Sequence, residues 1–164
     1  MTKTILSPEV KSQSALSIIL RAGFVAGTLD ITCATIQFLL SGGKSVVTLL
    51  QFVASGVFGK DAFAGGLTMA GWGLLFHYCI AVSFAAFFYL IYQRLPRLRT
   101  DRILMGVLYG VFVWLVMNLL VVPMSQAAPR PFTSSRVIIS MSILIIAIGL
   151  PISMIVNRST NSKE

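Results

Sequence analysis

Two side chains in this sequence sit where their chemistry is costly. Asp30 lies inside the apolar run Ala15 to Leu40, and His77, the single histidine, lies inside the apolar run Ala62 to Tyr92. A carboxylate in hydrocarbon costs a few kcal/mol or more, so an acid at that depth usually faces a partner, a water-filled space or a substrate path. Histidine changes charge near neutral pH and can pass on a proton. Asn118, in a third apolar run, adds a neutral donor and acceptor. Burial and mutual pairing act in opposite senses on an Asp–His pair, and their balance can bring proton exchange near the working pH. The chemistry expected of Asp30, His77 and Asn118 is thus a buried polar or proton-relay cluster. The competing reading is an interhelical hydrogen bond that sets helix register, contributing only about 0.6–2 kcal/mol.

Depth and face support a meeting of these residues. At a rise of about 1.5 Å per residue, Asp30 lies roughly 15 Å below Leu40, and His77 roughly 23 Å below Asp61. Gly23, Gly27, Asp30, Ala34 and Gln37 form one stripe of the first run. Gly66, Ala70, Gly73, His77 and Ala81 form one stripe of the second, and Gly106, Gly110, Trp114 and Asn118 one stripe of the third. Small residues at this spacing let membrane helices approach closely. They also fit assembly of copies of the chain into a homo-oligomer.

Other chemistry finds little support. Gly43-Lys44-Ser45 ends like a P-loop, but Phe38 holds the position of its first glycine and no strand precedes it. Cys33 and Cys79 share the depth of Asp30 and His77, yet no recognised metal-ligand spacing links them. They read as small apolar packing residues without a disulfide. A hydrolase triad has no signal beyond the residue types existing somewhere in the chain. No catalytic residue, metal or cofactor is therefore assigned.

The elements that must position Asp30 and His77 follow from composition. Of 164 residues, 56% are hydrophobic and only 11% charged. Soluble domains carry about a quarter charged residues. A chain this apolar needs lipid as part of its solvent, and the lipid bilayer is its first expected partner. The expected fold is all-α: four membrane-spanning helices at about 15–40, 62–92, 102–122 and 134–156, plus one short interfacial or re-entrant helix at 45–58. That segment is too short to span comfortably, and Thr48, Gln51 and Ser55 give it a polar face. A polar N-terminal segment, 1–14, and a tail, 157–164, flank this single transmembrane domain. The first segment lacks the marks of a signal peptide.

Local signals divide the runs. Asp61 is expected to cap the second span, and Thr100 or Asp101 the third. Pro123 is expected to stop the third, Ser134 or Ser135 to open the fourth, and Pro151 to kink it or fray its last turn. Tyr89 and Tyr92 suit a membrane interface.

The net charge of +8 comes from basic residues that flank the apolar runs, which points to topology and not to nucleic acid. Lys3, Lys11, Arg21, Arg94, Arg97, Arg99, Arg102, Arg158 and Lys163 would share one side; Lys44, Lys60, Arg130 and Arg136 would share the other. The richer side is cytoplasmic by the positive-inside rule, so both termini are expected inside. Arg94, Arg97 and Arg99 are candidate contacts for anionic lipid headgroups.

The runs Ala26-Gly27-Thr28-Leu29-Asp30, Ala54-Ser55-Gly56-Val57-Phe58-Gly59, Ala62-Phe63-Ala64-Gly65-Gly66 and Gly73-Leu74-Leu75-Phe76-His77 resemble a group of small bacterial inner-membrane proteins. They are loosely similar to the YagU-like proteins, a family associated with acid resistance. The resemblance covers residues 20 to 155. It implies a bacterial inner (plasma) membrane protein with a link to pH stress, and it brings no catalytic residues with it. Three functional classes follow, in order: proton-linked transport through Asp30 and His77, a non-catalytic membrane subunit or assembly factor, and a lipid-modifying enzyme.

Overall fold

The structure, a computed structural model, describes residues 14–95, 101–128 and 133–161. Every regular element among them is helical. Helix α1 is Ala15–Leu40, and α2 is Val46–Phe58, continued by a 3-10 turn at Gly59–Phe63. Helix α3 is Gly66–Arg94. Helix α4 comprises Arg102–Val116, a π-helical turn at Met117–Val121 and Val122–Met124. Helix α5 comprises Ser134–Leu144, a π-helical turn at Ile145–Gly149 and Leu150–Asn161. All five, counting α2 with its 3-10 turn, are long and apolar enough to cross a membrane.

Side-chain caps start three of the helices. Ser14 Oγ accepts from Ser17 N–H, Ser45 Oγ from Thr48 N–H, and Asp101 Oδ1 from Ile103 and Leu104 N–H. Each satisfies backbone donors that the first turn leaves without a partner. Asp61 does not cap α3. It lies in the 3-10 turn, and α3 begins after Gly65 with no side-chain cap. Gly66 has a φ of 56°, a left-handed conformation that favours glycine, so the chain turns into α3 there. Thr100 lies outside the described residues.

Both prolines fall within helices. Pro123 does not stop α4, which runs one residue further, to Met124. Pro151 leaves α5 helical to Asn161. A proline lacks the N–H that the carbonyl four residues back would use. Those carbonyls belong to Leu119 and Ala147, and each lies within one of the two π-helical turns, where bonds reach five residues back. The helices widen locally where a donor is missing.

Close contacts fix the register. Gly23 lies against Val82, with a hypothetical Cβ only 2.7 Å from Val82 Cα. Gly27 lies against Ala81 and Tyr78, so α1 and α3 run antiparallel. Gly106 lies against Gly149 and Leu150, Gly110 against Ile145, and Trp114 bonds to Ser140, so α4 and α5 are antiparallel as well. Not every glycine of the expected stripes serves α1–α3 packing. Gly73 lies under the Leu50 carbonyl of α2, and a Cβ at Gly66 would meet nothing within 4 Å.

The end of the bundle that holds Leu40, Gly66 and Met124 is called outer below, and the end that holds Ala15, Arg94 and Arg102 inner. The inner half is solid. Ile18, Ala22, Phe88, Tyr92, Tyr109, Ile152 and Val156 form one buried cluster. Tyr89 and Tyr92 sit inside this half, 7% and 1% exposed. Their hydroxyls find protein partners: Gln93 Nε2 donates to Tyr89 Oη, and Asn157 Nδ2 donates to Tyr92 Oη, both at 2.8 Å. Tyr109 Oη donates to the Phe84 carbonyl at 2.6 Å. A buried phenol needs such a partner, and an exposed one at an interface does not. Leu16, Phe24, Ile36, Leu90, Leu119 and Ile146 point outward from the bundle, which suits lipid contact.

Candidate functional site

The seam between α1 and α3 holds most of the polar groups singled out in the sequence. Gly27 has no side chain, so the His77 ring reaches past it to the helix backbone. His77 Nε2 lies 2.8 Å from the Gly27 carbonyl oxygen. A carbonyl only accepts, so Nε2 carries the proton and donates. Next to it, Thr28 Oγ1 donates to the Phe24 carbonyl at 2.8 Å and lies 2.9 Å from Tyr78 Oη. The threonine's one proton is spent on Phe24, so Tyr78 Oη donates to Thr28. Tyr78 also stacks on Phe24, with ring centroids 5.3 Å apart.

The expected cluster of Asp30, His77 and Asn118 does not form. Asp30 is half-buried and within electrostatic range of His77, but it makes no hydrogen bond to any described residue. The antiparallel register sets His77 against Gly27, about one turn toward the inner end from Asp30, and a bare backbone carbonyl takes its proton. Asn118 belongs to another place. Its Nδ2 donates to Trp114 O, 2.9 Å away in its own helix. No group of three or more His, Cys, Asp or Glu among the described residues could hold a metal ion. Cys33 is half-buried and Cys79 exposed, and neither is in a disulfide.

The larger feature is a cavity of about 910 Å3 in the outer half of the bundle. Ala34, Gln37 and Phe38 of α1 form one wall, and Trp114, Asn118 and Val122 of α4 another. Arg136, Val137 and Ser140 of α5 form a third, and Leu49 and Phe52 of α2 lie against it. The turn Ser41, Gly42 and Gly43 and the segment holding Ser125 and Ala127 rim it. Such a volume is in the range of small-molecule sites. Gln51 Nε2 donates to Gly66 O at 3.1 Å, Gln126 N–H to Gly56 O at 2.9 Å, and Gln126 Nε2 to Val57 O at 2.8 Å. These bonds clip α2 to the start of α3 and to the segment after α4.

The cavity wall is polar in part. Trp114 Nε1 donates to Ser140 Oγ at 2.8 Å, and Ser140 Oγ donates to Val137 O at 3.2 Å. Gln37 and Arg136 make no side-chain hydrogen bond or ion pair to another described residue. Asp30 lies on α1 one turn inward of Ala34, beneath this wall. Gln37, Trp114 and Asn118 were legible as stripe members. Ser140 carried no signal, and Arg136 read only as a topology charge. Of the arginines expected near headgroups, Arg94 is exposed at the inner end, and Arg97 and Arg99 lie outside the described residues.

Helices of this length and apolarity, with large apolar side chains turned outward, define a multi-pass helical membrane protein. Comparison with protein-family models, with curated proteins and with solved structures returned no match.

Proposed function

We propose that α1, α3, α4 and α5 span a bacterial inner membrane while α2 lies across their outer ends. The antiparallel register of α1 and α3 supports this, because it brings Leu40 and Gly66 to the same end of the bundle. A chain that leaves and returns at one face has not crossed in between. Both termini then share the cytoplasmic side, in keeping with the distribution of basic residues.

Within that frame the protein is a small-molecule binding and proton-linked transport protein. The observation that carries this reading is the outer cavity of about 910 Å3, with Asp30 one turn beneath its wall and a solid inner half below. A chamber in one half of the bundle above a packed core in the other is an arrangement that alternating access can use. The two π-helical turns lie where the helices would have to move, one carrying Asn118 of the cavity wall and the other abutting the inner seal. Asp30 is the proton-coupling group. His77 is structural, since its proton is held by a backbone carbonyl. A role in pH stress, which the resemblance to YagU-like proteins implies, suits the same reading.

A second reading has an observation in its favour. The His77–Gly27 contact is an interhelical hydrogen bond, as a non-catalytic membrane subunit would use for register.

The test is reconstitution of the full chain into vesicles with an internal pH-sensitive dye and an imposed proton gradient. Solute-dependent proton movement that Asp30→Asn abolishes and His77→Gln largely keeps, with thermal stability retained in both, supports transport. No solute-dependent movement in the wild type over a range of gradients and solutes would sink it.

A further inference from the structure

We propose that the outer chamber binds an organic anion with an apolar body, and that Arg136 takes the anionic group. This rests on reading the cavity as a binding chamber. Among the described residues that line it, Arg136 is the only charged side chain, and it makes no ion pair with any other described residue. It sits in the first turn of α5, where free backbone N–H groups add positive potential. The neutral groups nearby favour the same sign. The Gln37 amide has no hydrogen-bond partner among the described residues. Asn118 spends one amide N–H on Trp114 O, and its second N–H is unspent among the described residues. No acidic side chain among the described residues lines the chamber. The anionic group therefore belongs at the Arg136 side, with the apolar body against Phe38 and Phe52. A guanidinium binds carboxylate or phosphate through two parallel N–H···O bonds, so either chemistry fits. The anion could come from solution or from a lipid headgroup.

Tryptophan fluorescence can read this directly. The chain has two tryptophans, and Trp114 lines the chamber while Trp72 does not. In a Trp72→Phe background, the full chain is placed in nanodiscs of zwitterionic lipid and titrated with 2-bromodecanoate or with the neutral 2-bromodecanol. The Trp114→Phe protein, which keeps Trp72, measures quenching from the bilayer alone. The expected result is saturable quenching of Trp114 by the carboxylate, with at least tenfold weaker binding of the alcohol. Arg136→Gln should weaken carboxylate binding at least tenfold, and Arg136→Lys should recover part of it, which separates charge loss from misfolding. In a second arm, nanodiscs hold brominated phosphatidylglycerol and no added carboxylate. Arg136-dependent quenching there assigns the site to a lipid headgroup; its absence, with quenching by the soluble carboxylate, assigns it to a solute. Equal affinity for alcohol and carboxylate, or an unchanged affinity in Arg136→Gln, would overturn the anion assignment while leaving a binding chamber. No saturable quenching by any of these probes would overturn both.

Discussion

Gly149→Ala tests the contact that closes the inner half of the bundle. A Cβ at Gly149 would overlap the Gly106 carbonyl oxygen and lie 2.7 Å from Gly110 N and 2.9 Å from Gly110 Cα. These are backbone atoms, so no rotamer change can relieve the overlap. Reaching an ordinary contact distance of about 3.5 Å requires α4 and α5 to move apart by about 1 Å. A gap of that size forfeits roughly a quarter to a half of each neighbouring dispersion contact. Helix association in lipid depends largely on such contacts, so little else compensates. Overpacking of this kind costs about 1–3 kcal/mol. Gly71→Ala in α3 is the matched control: a Cβ there meets nothing within 4 Å. Both substitutions replace a helical glycine, where the change in intrinsic propensity is at most about 1 kcal/mol, so packing dominates their difference. For a chain of this size the difference corresponds to roughly 2–12 °C in Tm. The measurement is the thermal midpoint of each full-length variant in one detergent, followed by the monodisperse fraction on size exclusion. If Gly149→Ala melts at or above Gly71→Ala, the account of the α4–α5 contact is wrong.

His77→Leu should lower stability by about 0.6–2 kcal/mol, and His77→Gln by less, because only the glutamine can still donate toward the Gly27 carbonyl; thermal midpoints read both. Tyr92→Phe removes the acceptor of the Asn157 amide in the buried inner half and should cost about 1–3 kcal/mol, whereas no loss of stability would argue against that bond. Single cysteines at Lys44 and Lys60, in a chain lacking Cys33 and Cys79, should both react with a membrane-impermeant maleimide from the same side. Labelling from opposite sides would mean that α2 crosses the membrane.

Much of the architecture is legible from hydropathy because a membrane imposes length. A helix that must satisfy its own backbone in hydrocarbon leaves a long apolar run, and five such runs appear between turns rich in Gly, Ser and Pro. Capping is legible where the donor geometry is local, as with Asp101. It is not legible at Asp61, because Gly66 adopts a left-handed conformation that restarts the chain. The prolines are legible only in part. A proline removes one donor, and whether the helix stops, kinks or widens depends on neighbours along and across the bundle.

The candidate site was only half legible. Asp30 and His77 are each conspicuous, since ionisable groups are rare in apolar runs. Whether they pair is not a sequence property. It depends on the antiparallel register of α1 and α3, and Gly23 and Gly27 set that register by how closely they admit Val82 and Ala81. One consequence is that the His77 proton goes to a backbone carbonyl, a group present at every residue and marked by none. The cavity was less legible still, because it is defined by what does not fill it. Ser140 and Arg136 become its wall only when α5 lies beside α4 and faces the outer turns of α1.

Sequence alone thus determined that this chain is a helical membrane protein, where its apolar helices run, and which buried ionisable side chains invite a role. Tertiary structure decided which of those side chains meet, that the inner half is solid and the outer half hollow, and which charge faces the hollow. The division has a physical cause. Hydrophobic length and backbone satisfaction act within one segment and are written along the chain, while contact, register and empty space arise between segments and are set by shapes that only packing brings together.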